Sequence, residues 1–439
     1  MAALNEEFFS EWQPKELDIF RLNPTQTAVE RIFYQEIRPI NQLSPFSPVE
    51  FVIAGNNGLQ YVDLKNSYVS LKIKIVHGLS GADLKTTEFV GPVNLIVHSL
   101  FEQVDLTLQG KLVSTSTSHY PYKAYLQKLL SLGSDSKQSQ LSTQLWIKDT
   151  QQDSDDAKTG DPALVNRAKP FLLSKRVHLI SDLCHDLFGL EKYILNQVEI
   201  GMKFYQSKPA FYLMTDILSA NFRIDIVEMI LNVCKVQINP AVVYAHNQIL
   251  QKTPAKYPYI ATEIRMNAIP QGQVSFTFDN VCQGRKPRRL IIGFVNSKAV
   301  AGDYTLSPFN FASYDLTQIN VYVDGQPVLG NAMNISTNAT TGLDTVEPLL
   351  WMLKSYGKWG NDDGNQLTIA DINNGFAIYV FDLEPSFPER DHIYLLKQGI
   401  VRIEAHFEKP LPHGVTAITL AEKINYFEIN LAREVVVYK

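Results

Sequence analysis

The sequence predicts an all-β protein built from two tandem jelly-roll β-sandwiches, a double jelly roll, with short helices in the loops between strands. Three observations lead to this prediction: a composition suited to β-rich domains, strands whose apolar residues alternate, and an internal repeat at a spacing of about 200 residues. The chain has 439 residues, of which 45 % are hydrophobic and 19 % are charged. This length exceeds the size at which a single core usually stops growing, so we expect two domains.

The clearest repeat is a strand followed by a turn. Residues 103–113 read QVDLTLQGKLV and residues 318–328 read QINVYVDGQPV, and the two segments align without a gap. Both alternate apolar and polar residues before a glycine, Gly110 or Gly325, which can adopt the positive φ of a tight turn. The alignment predicts that these two strands occupy equivalent positions.

A short amphipathic helix is predicted after each of these strands. Residues 126–133, LQKLLSLG, match residues 350–357, LWMLKSYG, and apolar residues recur at helical spacing around both. Each segment ends at a glycine, Gly133 or Gly357, where a helix favours a left-handed residue. One helix among short strands and long polar loops favours the jelly roll over an up-and-down barrel.

Further matches follow in the same order along the chain. They pair residues 176–183 with 376–383, Lys208-Pro209 with Lys409-Pro410, and a closing strand at 227–236 with 427–436. Collinear matches indicate a duplication, and Pro240 is a suitable junction. We therefore predict three parts: an N-terminal arm at 1–24, a first jelly roll at 25–238 and a second at 239–439.

Charge and cysteine content restrict the possible functions. The formal net charge of -5 gives no general basic field, so wrapping of nucleic acid over the whole surface is not expected. Cys184, Cys234 and Cys282 are far apart and odd in number, which fits reduced thiols and argues against disulfides and a zinc site. The sequence shows no signal-peptide pattern and no apolar stretch of membrane-spanning length, so we expect neither secretion nor membrane insertion.

The sequence lacks the common motifs of phosphate-binding, dinucleotide-binding and hydrolytic enzymes. Cys184 with His185 and Asp186 is the nearest approach to a nucleophile and its base. Adjacent residues on a strand or turn point in different directions, so we interpret these three as a structural turn. We expect no enzymatic activity and no cofactor.

Two acidic clusters suggest calcium, but their spacing argues against it. They are Asp153, Asp155 and Asp156, and separately Asp362 and Asp363. Neither has the ligand spacing of an EF-hand, so we interpret both as solvated loops and name no metal ligand.

One dense basic run occurs, RKPRR, with Arg285, Lys286, Arg288 and Arg289. Such a cluster can be a nuclear import signal or a contact with an acidic partner, but between two strands it is more often only a solvated corner. The corresponding turn of the first unit, taken to lie near residues 65–67, lacks this charge. The fold itself therefore does not require the cluster.

The N-terminal arm carries several large apolar residues, among them Phe8, Phe9, Trp12 and Phe20. Such an arm can dock on a neighbouring copy, a minor shell protein or an internal membrane. The alternative is that it folds back over its own first sandwich.

Residues 176–214, RVHLISDLCHDLFGLEKYILNQVEIGMKFYQSKPAFYLM, resemble a stretch of the major capsid proteins of Polinton (Maverick) elements and adintoviruses, in which a strand leads to a D-L-F turn. Residues 101–133 look like the strand, loop and helix of the same family. The resemblance implies a viral structural protein with two tandem jelly rolls, three copies of which form a pseudo-hexameric trimer of an icosahedral capsid. On this basis, residues 134–168 and 330–347, rich in small polar residues, are predicted to be exposed loops at the outer end of the capsomer.

The resemblance also implies partners and a location. The partners would be further copies of the chain, a vertex (penton) protein and minor capsid proteins, without sequence-specific nucleic acid; direct membrane contact stays open. The location would be the virion capsid, after synthesis in the host cytoplasm and assembly there or in the nucleus.

Two other classes of function compete with a capsid subunit. A tandem β-sandwich could recognise carbohydrate or a cell-surface receptor, but such modules usually cluster tryptophans on one face, and the four here are dispersed. A jelly-roll hydrolase would need convergent carboxylates or histidines, and no cupin-like HxH pair occurs. We rank the three in that order.

Overall fold

The computed structural model describes residues 13–20, 22–45, 47–55, 58–113, 119–151, 154–282, 284–336, 344–384, 395 and 397–438. The strands up to residue 238 are β1 Val29–Ile37, β2 Val49–Ile53, β3 Gln60–His77, β4 Gly91–Pro92, β5 Phe101–Leu108, β6 Lys111–Leu112, β7 Val177–Asp182, β8 Ile200–Gln206, β9 Leu213–Met214 and β10 Phe222–Ile238. The later strands are β11 Ala255–Ile269, β12 Ser275–Phe278, β13 Arg289–Asn296, β14 Leu316–Val323, β15 Gln326–Pro327, β16 Met333–Asn334, β17 Ile378–Asp382, β18 Val401–Phe407, β19 Val415–Ile429 and β20 Val435–Tyr438.

Short helices lie between the strands. The α-helices are α1 Ile96–Ser99, α2 Tyr120–Ser131, α3 Ser134–Gln138, α4 Pro162–Ala168, α5 Pro209–Tyr212, α6 Pro240–Leu250, α7 Ser297–Ala301, α8 Val346–Ser355 and α9 Ile369–Asn373. Helix α6 joins the two halves of the chain, and its N-cap residue Asn239 accepts a hydrogen bond from the N–H of Ala241.

The two halves have the same sheet topology. The first contains sheets of order β1-β10-β3-β7 and β2-β8-β5-β6, and the second contains β11-β19-β13-β17 and β12-β18-β14-β15. The strands named in these four orders are taken as the main strands, so β4, β9, β16 and β20 are left out. Counted in chain order within each half, the main strands show the orders 1-8-3-6 and 2-7-4-5 in both halves. This is the jelly-roll arrangement, so the predicted double jelly roll is confirmed.

The strand and turn that revealed the repeat are equivalent in detail. Strands β5 and β14 are each the fourth main strand of their half, and they pair with β8 and β18. Both carry an irregularity of register at the same place, between Phe101 and Gln103 in β5 and between Leu316 and Gln318 in β14. A shared β-bulge is a specific feature, because bulges fix the bend of a strand, and it supports the duplication.

The turns that follow have the same backbone. Gln109 and Gly110 have φ of 49° and 71°, and Asp324 and Gly325 have φ of 50° and 81°. Two consecutive positive φ angles are typical of the type I′ turn, whose twist matches the strands of a hairpin. Helices α2 and α8 follow these hairpins, as predicted. The predicted left-handed glycine after the helix is present at Gly357, with a φ of 64°, but Gly133 has a φ of -77°.

One residue-by-residue alignment was wrong. Strands β10 and β19 do occupy equivalent places, but residues 427–436 do not match 227–236, because β19 already ends at Ile429 and a turn leads into β20. The apolar alternation of β20 resembles a continuing strand in sequence, which explains the error.

The prediction of an exposed loop at 134–168 was also wrong. The segment contains α3 and α4, and it buries Leu141, Trp146 and Leu164. Buried Arg167 donates to the carbonyl oxygen of Pro92 at 2.9 Å and forms an ion pair with Asp149 at 2.6 Å. The prediction relied on the polar composition of the segment, which does not show that its few apolar residues are buried.

The second predicted loop is wrong in part. Its residues Met333 and Ile335 are buried, because β16 adds to the sheet through β14. Residues 337–343 lie outside the described residues.

Two apolar cores hold the fold together. The smaller core lies between the two sheets of the second jelly roll and includes Leu290, Phe294 and Tyr379. The larger core fills the first jelly roll and continues across to the second, where it reaches Tyr257, Ile291 and Phe427. The two jelly rolls therefore share buried apolar surface.

Candidate functional site

The contact between the two jelly rolls is the most extensively built site among the described residues. Helix α2 of the first jelly roll presents Tyr122 and Tyr125, three residues apart, to the loop before β14. Tyr125 stacks on Phe309 with ring centroids 4.2 Å apart and an interplanar angle of 1°, and Tyr122 meets Phe309 and Phe311 edge-on at 5.7 and 6.4 Å. All four rings are buried. Aromatic pairs of these geometries add to the stabilisation from area burial.

The segment after α2 adds polar contacts across the same boundary. Lys148 forms an ion pair with Asp371 at 2.7 Å and donates to the carbonyl oxygen of Gln366 at 3.0 Å. The buried Lys137 donates to the carbonyl oxygens of Leu129 and Asn365, both at 2.6 Å. Burial lowers the pKa of the Lys137 ammonium group to about 7. This segment thus reaches from one jelly roll into the other.

A second group of contacts lies at the opposite end of the boundary. Arg433 donates to the carbonyl oxygen of Asn196 at 2.9 Å and to its side-chain oxygen at 2.8 Å. Lys111 donates to the carbonyl oxygen of Val435 at 3.0 Å, and the Tyr257 hydroxyl donates to Tyr193 at 3.1 Å. Contacts at both ends and a shared core hold the two jelly rolls in one arrangement.

Cys184 lies in a buried polar cluster. Its Sγ atom is 3.9 Å from Nε2 of His98, and His98 also contacts Tyr120 at 2.9 Å and Ser181 at 3.0 Å. Burial raises the pKa of the Cys184 thiol to about 12 and lowers the pKa of His98 to about 3. The neutral thiol is a poor nucleophile and is shielded from solvent.

His185 and Asp186 both make contacts that hold neighbouring backbone in place. The His185 ring accepts a hydrogen bond from the N–H of Leu187, and burial lowers the pKa of His185 to about 4. Asp186 pairs with Lys123 of α2 and accepts the N–H of Thr262 in β11 at 3.1 Å. Asp186 is thus a further link between the jelly rolls, which sequence reasoning missed because its partner lies in the other repeat.

The acidic clusters take part in local contacts. Asp156 accepts hydrogen bonds from the Thr159 hydroxyl and from the backbone N–H groups of Thr159 and Lys158, and these lower the pKa of its carboxyl group. Asp363 pairs with Lys358. Asp153 lies outside the described residues. Over the described part of the chain, no group of three or more potential metal ligands comes together. Nor do the described helices include one that is long and apolar enough to cross a bilayer.

The basic run divides into a buried and a surface part. Arg289 is buried, where it bonds Asp382 at 3.0 Å and Glu422 at 3.2 Å, donates to the carbonyl oxygen of Ser355, and lies 4.2 Å from the centre of the Tyr356 ring. Although burial opposes its charge, the neighbouring acids raise the pKa of Arg289. Arg289 therefore does not belong to the predicted surface patch.

The other three basic residues are half-buried. Arg285 donates to the side-chain oxygen of Asn425 at 3.3 Å, and Lys286 and Arg288 lie near Glu384, whose pKa is raised by burial. The run connects β12 to β13, so its counterpart in the first unit is the connection at 54–59. The earlier correspondence with residues 65–67 was wrong, because those residues lie within β3.

The N-terminal arm is only partly described. Phe8, Phe9 and Trp12 lie outside the described residues. Phe20 is 93 % exposed, and Leu17, Ile19 and Leu22 are exposed as well. The described part of the arm does not fold back over the first jelly roll.

Solved structures with the same fold include viral capsid proteins. The chain matches a chain of the Sputnik virophage with a TM-score of 0.65 and 12 % identity, covering 99 % of this chain and 93 % of that one. The Faustovirus major capsid protein gives 0.58 and 10 %, covering 96 % and 95 %, and the mavirus major capsid protein gives 0.52 and 14 %, covering 98 % and 96 %. These likenesses show that the chain has the double jelly-roll fold of such proteins.

In sequence, the chain is similar to an uncharacterised protein of Caenorhabditis elegans. The two are 23 % identical over 435 residues, which span 94 % of this chain and 98 % of the nematode protein. No protein-family model matches the chain.

Proposed function

We propose that this protein is a structural capsid subunit, the major capsid protein of a double jelly-roll DNA virus or virus-like element, without enzymatic activity. The observation that carries the proposal is the double jelly roll itself, which extends over nearly the whole length of the Faustovirus and mavirus major capsid proteins as well. The fixed arrangement of the two jelly rolls supports the same role, because a lattice needs contact surfaces in constant relative positions.

The assembling unit is a homotrimer that forms a pseudo-hexamer and then an icosahedral shell. One chain carries two similar units, with boundaries at 25–238 and 239–439 after an arm at 1–24. Three chains in a closed ring therefore present six similar units and can occupy hexagonal lattice positions. A contact area well above about 1,000 Å² is expected for a stable interface of this kind.

The chain belongs to the Polinton (Maverick) or adintovirus type of such proteins. Its resemblance at residues 176–214 supports this assignment, and a relative of nearly equal length in an animal, Caenorhabditis elegans, is consistent with an element carried in an animal genome. The protein then resides in the virion capsid, and its partners are its own copies, a vertex protein and minor capsid proteins.

Two surface features suit accessory contacts in such a shell. The half-buried basic residues Arg285, Lys286 and Arg288 are available for nuclear import or an acidic partner. The arm, with the exposed Phe20, suits docking on a neighbouring shell component.

Light scattering and electron microscopy of the purified protein test this proposal. We expect a mass of three chains in dilute solution, and shells or hexagonal lattices at high concentration. A mass of one chain that persists at high concentration and across salt conditions would contradict the assembly role.

A further inference from the structure

The equivalent helices α2 and α8 are alike in burial on one face and differ on another. One face is buried in both helices, at Ala124 and Lys128 in α2 and at the aligned Pro348 and Met352 in α8. On the other face, α2 buries Tyr122, Tyr125, Leu126 and Leu129. The aligned residues of α8 are Val346, Leu349, Leu350 and Leu353, of which Val346 is 55 % exposed and the other three are half-buried.

The cause of this difference is the neighbouring jelly roll. Tyr122 and Tyr125 of α2 are covered by Phe309 and Phe311 of the second jelly roll. Within one chain, the second jelly roll has no third unit beside it to cover α8 in the same way. Leu349 packs on both apolar cores, so we call the remaining three residues, Val346, Leu350 and Leu353, the α8 face.

The first strands of the two units also differ in burial, but here the strand of the second unit is the more buried. In β11, Tyr257 and Tyr259 are buried, and β11 meets the first jelly roll through the hydrogen bonds of Tyr257 with Tyr193 and of Thr262 with Asp186. In β1, no residue is fully buried, and Ile32 and Tyr34 are 56 % and 52 % exposed. We call Ile32 and Tyr34 the β1 face.

The chain therefore contains one complete contact between its two units. It also has two exposed surfaces, each equivalent to one side of that contact. The complete contact joins the helix side of the first unit to the first-strand side of the second, since Lys123 of α2 pairs with the same Asp186 that binds Thr262 of β11. The two exposed surfaces are the helix side of the second unit and the first-strand side of the first. Each exposes large apolar residues that the complete contact covers in the other unit.

We infer that the surface carrying the α8 face of one copy binds the surface carrying the β1 face of the next copy, head to tail. A second copy is the expected occupant because the intact contact within the chain already joins the helix side of one unit to the first-strand side of the other. A head-to-tail contact closes into a ring when its rotation permits. The inference rests on the proposed assembly function and names the two surfaces that carry it.

Two variants test the inference, one that blocks the α8 face and one that blocks the β1 face. Val346→Asp places a charge on the α8 face, and the first turn of a helix tolerates Asp well. Ile32→Asp places a charge on the β1 face of an edge strand. Leu79→Asp is the matched control, because Leu79 is 91 % exposed and lies on neither face. Leu350→Asp and Tyr34→Asp replace the first two variants if thermal melting shows that either is unfolded.

Native mass spectrometry and sedimentation then measure the species formed. We expect each blocking variant alone to raise the trimer dissociation constant at least about tenfold, while Leu79→Asp stays trimeric. An equimolar mixture of the two blocking variants retains one intact contact per pair of chains, so it should form heterodimers and nothing larger.

The outcomes separate the inference from the function on which it rests. A wild-type chain that stays monomeric contradicts the proposed assembly. A wild-type trimer with folded blocking variants that remain trimeric, or with a mixture that forms no heterodimers, overturns the assignment of the two faces and leaves assembly standing.

Discussion

Arg289 was predicted to belong to a basic surface patch, but in the structure it is a buried, ion-paired residue. In sequence it completes a surface-like run, but in the structure two carboxylates, a carbonyl oxygen and an aromatic ring surround its guanidinium group. Its carboxylate partners, Asp382 and Glu422, come from strands far away in the chain, and a sequence pattern cannot show such a neighbourhood. The sequence distinguishes Arg289 from Arg288 only by its place at the start of an apolar strand.

Removing Arg289 should therefore destabilise the protein strongly. The Arg289→Met variant leaves Asp382 and Glu422 close together without a cation, at an expected cost of about 3 kcal/mol in the free energy of unfolding. Arg288→Met is the control, with an expected change within about 0.5 kcal/mol, because it is half-buried and its contacts are near the surface. Urea denaturation of both variants measures the difference, and equal stabilities would show that the Arg289 ion pairs contribute little.

Lys137 gives the stability a dependence on pH. Its pKa is about 7 in the folded chain and near 10.5 when unfolded, so between these values the unfolded chain binds more protons. The contribution of Lys137 to the free energy of unfolding should therefore rise with pH from about 7 to about 10.5, by up to about 1 kcal/mol per pH unit. The Lys137→Met variant should lose this slope, while Lys158→Met, an exposed lysine, should keep it. Denaturation at several pH values measures both, and identical slopes would contradict the lowered pKa of Lys137.

At the scale of elements, the hairpins were the most predictable part of the fold. Alternating apolar residues followed by a glycine locate both β5 and β14, because strand and turn depend on residues that are neighbours in sequence. The segment at 134–168 was not predictable in this way. Its polar residues are typical of a loop, whereas Leu141 and Trp146 are buried in the larger core, where the Trp146 ring lies 5.9 Å from that of Tyr125 in α2.

The turn after β14 offers a direct test of this local control. The Gly325→Ala variant places a Cβ atom at a φ of 81°, where no neighbouring atom is close, so the expected cost of about 1 kcal/mol comes from the backbone alone. Gly364→Ala is the matched control, since its surroundings are equally open and its φ is not in the positive region. Thermal melting compares the two, and equal melting temperatures would argue against a strained turn at Gly325.

At the scale of the whole molecule, the sequence showed that two units exist but not how they meet. The repeat is visible in the sequence because both units retain the same strands. The contact between the two units, however, uses residues that differ between them. Tyr125 stacks on Phe309, while the residue aligned with Tyr125 is Leu349, only half-buried within the single chain. These differences determine how the two units pack on each other, and they can be interpreted only when the positions of the two units are known.

The shared core leads to a final prediction, that the two jelly rolls unfold together. Because the larger core includes residues of both units, separating them exposes apolar surface on each, and calorimetry should show one transition for the chain. The Tyr125→Ala variant removes the ring that stacks on Phe309, at an expected cost of about 3 kcal/mol, and should weaken the coupling so that the transition broadens or divides. Tyr244→Ala, at an exposed position of α6, is the control and should keep a single transition at nearly the same temperature. Two separate transitions in the unmodified protein would mean that each jelly roll is stable by itself and that the aromatic contact positions the units without joining their stability.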